Sequence, residues 1–266
     1  MSRKSSQIRS GKRRWVVVAG LVIVAAIILT RGRWYHRTPQ SIASVMPTNK
    51  VTPEVMLPAT LDGSSTNQTP QTSADLENKA VELMGEGKVD EAIAYLNRAV
   101  KLNPEDETTH FNLAFAYAKA GRSDEAIHEY EEALRLFPDY GEAHNNLGNL
   151  LVARKKYNEA TSHFSQAIKL SPESTSALNN LGRTLSMQGK ANESIPFYSD
   201  AIRLDPDYLE ARCNLGNALV SIGKPKQGIT EFEEALRRAP NFPPALKGIE
   251  RARQAIARET QSPPGK

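Results

Sequence analysis

The sequence predicts an all-α fold, a solenoid of stacked helix pairs, on three observations. The prolines Pro104, Pro138, Pro172, Pro206 and Pro240 recur every 34 residues without a slip, and a fixed period of about 20–50 residues marks a repeat architecture. Within each period apolar residues fall at helical spacing in two runs, parted at Gly87, Gly121, Gly189 and Gly223. Three positions stay small in every copy. The eighth is Ala80, Ala114, Gly148, Gly182 and Gly216; the twentieth is Ala92, Ala126, Ala160, Ser194 and Gly228; the twenty-seventh is Ala99, Ala133, Ala167, Ala201 and Ala235. Helix axes approach to about 8–10 Å only where the side chains at the contact are small.

In chain order, residues 1–14 form a basic arm. Residues 1–40 hold nine Lys/Arg and no acid, while the whole chain carries only +4. Everything after them is therefore net acidic, and nucleic acid, which needs clustered cations, is not the partner expected for the repeats. Residues 15–30 carry no charge. A helix of that length spans roughly 24 Å, short of a hydrocarbon core of about 30 Å, but Arg31 and Arg33 can snorkel and Trp34 and Tyr35 suit the headgroup level. Residues 15–35 are accordingly read as a transmembrane helix that anchors the chain. The competing reading is a cleaved signal peptide, against which stands the lack of an Ala-x-Ala site directly after the apolar run. The positive-inside rule keeps the arm cytoplasmic and places the repeats on the far side of a single-pass membrane protein, in a periplasm or lumen. The reverse orientation would leave them in the cytosol. Residues 36–72, rich in Pro, Ser and Thr, predict a disordered linker with a reach on the order of 30–35 Å. Asn67 and Asn192 each open a glycosylation sequon.

Five repeats follow, at 73–106, 107–140, 141–174, 175–208 and 209–242. In the second, the spacing predicts helices over 108–120 and 124–136. The interhelix glycines close each first helix in a left-handed conformation, and the third repeat carries Lys155 at that position. Asp90, Asp124, Asn158 and Asn192 are expected to N-cap the second helices, which end at the prolines. Pro196 is expected in the first turn of its helix. The twenty-fourth position is large (Leu96, Tyr130, Phe164, Tyr198, Phe232) and fills the space between units. At these residues the chain resembles the tetratricopeptide repeat (TPR) family, with five in-phase copies over 73–242. The resemblance implies a right-handed superhelical solenoid of five TPR helix pairs. The fourth position, often Trp in that family, departs from it as Leu76, His110, His144, Leu178 and Arg212. Residues 243–258 predict a capping helix with Leu246, Ile249, Ala252 and Ile256 on its apolar stripe and Lys247, Glu250, Arg251 and Arg253 facing away. Such a cap covers the last open face of a stack. Residues 259–266 read as a tail.

No catalytic chemistry is legible. There is no Gly-rich phosphate loop, nucleophile elbow or carboxylate pair apart from the repeat period. The histidines His36, His110, His128, His144 and His163 are scattered, and Cys213 is the sole cysteine, which excludes an intrachain disulfide. Neither a metal nor a cofactor is expected, and the chain is not read as an enzyme. What packing does not explain is the sixth position, Asn in every repeat: Asn78, Asn112, Asn146, Asn180 and Asn214. Asparagine is a mediocre helix former. A side-chain amide both donates and accepts, which suits a peptide bond of any sequence. The row resembles the asparagine ladder in the repeats of O-linked N-acetylglucosamine transferase. In such stacks the first helices line a concave groove, so the resemblance implies contact with an extended peptide. The bland reading is that the asparagines bond across neighbouring helices. The neighbouring groove positions are apolar at Phe111 and Phe115, then polar at Asn145, Asn149, Asn179, Arg183 and Asn217. Asn149 and Asn180 also match two asparagines of the clamp that chaperone-binding relatives close on a C-terminal carboxylate, but Asn145 stands where that clamp has lysine. These residues point to a membrane-anchored adaptor that binds a peptide or protein segment for complex assembly. The alternatives are a self-assembling scaffold, hence a homo-oligomer, or a regulatory subunit of a separately encoded enzyme.

Overall fold

The computed structural model describes residues 72–261. The basic arm, the anchor and the linker up to residue 71 lie outside the described residues. Among the described residues there are eleven α-helices and no strand, and no helix is long and apolar enough to cross a membrane. The helices pair as α1 Ser73–Gly85 with α2 Val89–Leu102, α3 Glu107–Lys119 with α4 Ser123–Leu136, and α5 Gly141–Ala153 with α6 Tyr157–Leu170. Then come α7 Thr175–Met187 with α8 Ala191–Leu204, α9 Leu209–Ser221 with α10 Pro225–Arg238, and a lone α11 Pro243–Gln261. Each helix packs on the next in sequence, so the pairs stack as a solenoid. First helices of successive repeats also touch directly, as α3–α5, α5–α7 and α7–α9.

One closure shapes every hairpin. Lys88 N–H donates to Leu83 O, Arg122 to Tyr117, Lys156 to Leu151, Lys190 to Leu185 and Lys224 to Leu219, all at 2.9 Å. This six-to-one bond needs a left-handed residue just before the donor. Gly87, Gly121, Gly189 and Gly223 supply φ of 81°, 77°, 79° and 76°, and Lys155 adopts 62°. The closure also moves the second-helix caps. Lys88, Arg122, Lys156, Lys190 and Lys224 are the N-caps, without side-chain cap bonds. The expected caps Asp90, Asp124, Asn158 and Asn192 instead stand inside the first turn. There the two aspartates still favour the positive helix end. First helices are capped by Thr72, Asp106 and Ser174 through their side chains. Pro196 is likewise deeper than expected, the sixth residue of α8. Its missing N–H would have faced the Asn192 carbonyl, and packing carries the helix through it.

The small positions are buried beneath the large ones. A Cβ on Gly148 would stand 2.7 Å from the Phe164 ring, on Gly182 2.8 Å from Tyr198, and on Gly216 2.6 Å from Phe232. Phe232 also presses on Gly248 of α11, so its ring does bridge two units. The fourth position ties three of the hairpins to the loop before them. His144 donates Nε2–H to the Pro138 carbonyl at 3.0 Å and accepts at Nδ1 from His163 Nδ1–H at 2.9 Å. His110 stands between Pro104 O (3.1 Å) and Glu129 (2.6 Å), and Arg212 pairs with Glu231 at 3.2 Å while donating to Pro206 O. In the fourth repeat Leu178 and Phe197 pack together instead.

α11 runs to Gln261, past the expected end at 258, because nothing in 258–261 breaks a helix. Its buried face is Ala245, Gly248 and Ala252. Leu246, expected in that stripe, is 48% exposed. With Leu236, Ile249 and Ala257 it lines an open cleft of about 580 Å³ against α10.

Candidate functional site

All twelve residues singled out from the sequence lie on first helices, α1, α3, α5, α7 and α9, and the direct contacts from α3 through α9 align them in rows. Their environments differ. Asn78 is exposed; Asn112 and Asn146 are half-buried. Burial pushes the Tyr130 hydroxyl well above its usual range, and the Asn146 amide beside it opposes that rise. Asn180 donates Nδ2–H to Asn145 Oδ1 at 3.1 Å, and Asn214 donates to Asn179 Oδ1 at 2.9 Å. These bonds run from the sixth position of one repeat to the fifth of the repeat before. They form only where the fifth position is asparagine. Glu77 and Phe111 hold it in the first two repeats, so Asn112 and Asn146 lack this partner.

The bland reading therefore applies to part of the row. An amide that gives one N–H to a neighbour keeps a second N–H and its carbonyl oxygen for a ligand. Asn179, however, is only 6% exposed and belongs to the packing. Phe111 does as well, stacked on Tyr140 at 4.6 Å and edge-on to Tyr130 at 5.6 Å. Phe115 is the aromatic left to solvent, 41% exposed, with Lys119 Nζ 5.7 Å from its centroid. Asn149 is half-buried and Arg183 exposed.

One contributor was not expected. Arg251 of α11 donates Nη2–H to Asn217 Oδ1 at 2.9 Å, so the cap continues the row by one more register. The signal was present in the 34-residue offset from Asn217, but the helical stripe assigned Arg251 to solvent. Cys213 is buried and its thiol pushed up to about 12 by that burial, which removes it as a nucleophile. Among the described residues no three metal-ligating side chains converge.

Two tetratricopeptide repeat family models match this sequence, one over residues 83–150 and 185–253 and the other over 139–207. The chain belongs to the tetratricopeptide repeat family. Solved structures agree with this fold. YrrB, a TPR protein with an unusual peptide-binding site, superposes with a TM-score of 0.60 at 21% identity over 67% of this chain and 92% of its own. MamA from Desulfovibrio magneticus RS-1 gives 0.60 at 21% identity, over 65% of this chain and 98% of its own. A thermophilic TPR protein of Thermus thermophilus gives 0.51 at 21% identity, over 70% of this chain and 100% of its own. No curated protein matches the chain. At such identities the likeness speaks for the TPR fold, and the site rests on this chain's own residues.

Proposed function

We propose that the TPR array is a peptide-binding adaptor, held to a membrane by residues 15–35, that takes an extended segment of a partner protein along its first helices. The observation that carries this is the asparagine at the sixth position of all five repeats, half-buried or exposed where the helices alone would favour alanine. Asn112, which lacks an amide partner in the preceding repeat, is the strongest contact in this reading; Asn146 already meets the Tyr130 hydroxyl of that repeat and keeps only part of its amide for a ligand. Asn180 and Asn214 add their free carbonyl oxygens. That a peptide-binding site is ascribed to YrrB, which has the same fold, agrees with this reading.

The test is the triple variant Asn112→Ala, Asn146→Ala and Asn180→Ala, with the partner captured by crosslinking to the wild-type chain. Each lost amide bond is worth about 0.5–1.5 kcal/mol net, and neighbouring losses add incompletely. Binding should weaken by several kcal/mol at most while helicity is kept. Unchanged binding in a folded variant removes the reading; unfolding assigns the asparagines to the structure.

A further inference from the structure

The ninth position of the first helices reads Val81, Phe115, Asn149, Arg183, Asn217 and, on α11, Arg251. It is apolar and exposed at one end, with Val81 59% and Phe115 41% accessible. It is amide in the middle and cationic at the other end, where Arg183, Arg251 and Lys247, one turn before it, are all exposed. Several other arginines answer acids: Arg122 pairs with Glu125, Arg135 with Glu132, Arg154 with Asp124, Arg212 with Glu231 and Arg238 with Asp207. Among the described residues Arg183, Lys247 and Arg251 form no ion pair. α7 carries no acid, and those of its neighbours α5 and α9, Glu142 and Glu210, stand near the helix starts. Glu250 of α11 lines the cleft against α10. Arg251 donates Nε–H to the Lys247 carbonyl at 3.4 Å and one Nη2–H to Asn217, and the remaining Nη1 and Nη2 hydrogens keep a planar pair of donors that matches a carboxylate.

Resting on the peptide-groove reading, we infer that the ligand is an acidic extended segment. Its Asp or Glu side chains lie against Arg183 and Arg251, and a large apolar residue at its other end lies against Phe115 and Val81. The amides between them hold its backbone. This is a peptide chemistry rather than a nucleic-acid one, because the cations alternate with amides and the row ends on an apolar patch instead of a continuous basic track.

The experiment displays random peptides of about twelve residues, long enough at roughly 3.3 Å per residue to cross several repeats, to the purified full chain. Enriched peptides are then resynthesised for fluorescence anisotropy. The expected result is enrichment of Asp and Glu toward one end with an aromatic or aliphatic residue toward the other. Arg183→Gln with Arg251→Gln should weaken these peptides about three- to tenfold, while Asp→Asn and Glu→Gln versions of the peptides lose nothing further. Arg251→Lys should recover part of the loss, and raised salt should mimic the double variant. Enrichment without acids, or unchanged affinity in the double variant, overturns the inference and leaves the groove reading standing. A thymidine oligonucleotide that competes as well as the peptides overturns it in favour of phosphate. No enrichment at all removes both.

Discussion

Lys155 is the one described non-glycine residue with positive φ, at 62°. A left-handed conformation costs an L-residue roughly 1–2 kcal/mol, and part of that is returned by the lower freedom of lysine in the unfolded chain. Lys155→Gly should therefore stabilise the array by about 0.5–1 kcal/mol. The check is a higher urea midpoint at unchanged slope. The reverse holds at Gly121 or Gly189, where a Cβ meets nothing within 4 Å and only the backbone angle argues for glycine. At this scale the register was readable, since the third repeat's lysine falls where the others have glycine. The N-caps were misread because Asp and Asn are common caps, while the closing bond already fixes a residue before them as the cap.

Between helices the fourth-position pairs differ from one hairpin to the next, and the His144–His163 pair makes the third repeat sensitive to acid. Burial holds His163 below the ordinary histidine value, and the neighbouring His144 pushes the same way; Glu159 opposes them. A base whose folded pKa is depressed binds fewer protons folded than unfolded. Its contribution is present above the unfolded value of about 6.5 and is lost as pH falls through the folded one. A second proton on the pair would also set two donors face to face across 2.9 Å. Stability should thus fall between about pH 7 and 5, above the range in which the carboxylates titrate. The double variant His144→Leu with His163→Phe copies the Leu178–Phe197 pair of the next repeat. Thermal melts across that range should show a flatter dependence for it than for the wild type, and equal slopes would dismiss the pair as the cause.

For the whole molecule, the repeats must be joined to a membrane if the adaptor reading is right. Residues 15–35 would do this by burial of apolar surface, which alkali and salt do not reverse. The full chain should stay in the membrane fraction after a carbonate wash, and a variant lacking residues 15–35 should be recovered in the supernatant. A shorter wild-type product in the soluble fraction would replace the anchor with a cleaved signal. Protease added on the side of the N-terminal arm should spare the repeats if the six cations that precede the span stay cytoplasmic.

The sequence by itself determined the all-α repeat, its register, the left-handed closures and the buried small-to-large contacts. All of these follow from packing and backbone sterics within one 34-residue unit, and five copies state the pattern five times. Tertiary structure alone decided what each polar side chain does. Asn180 and Asn214 reach back to Asn145 and Asn179, Phe111 turns into the aromatic packing with Tyr130 and Tyr140, and Arg251 crosses from the cap to Asn217. Helical periodicity gives the face a residue occupies; its partner comes from the neighbouring repeat, 34 or 35 residues away, and is fixed only when the helices stack.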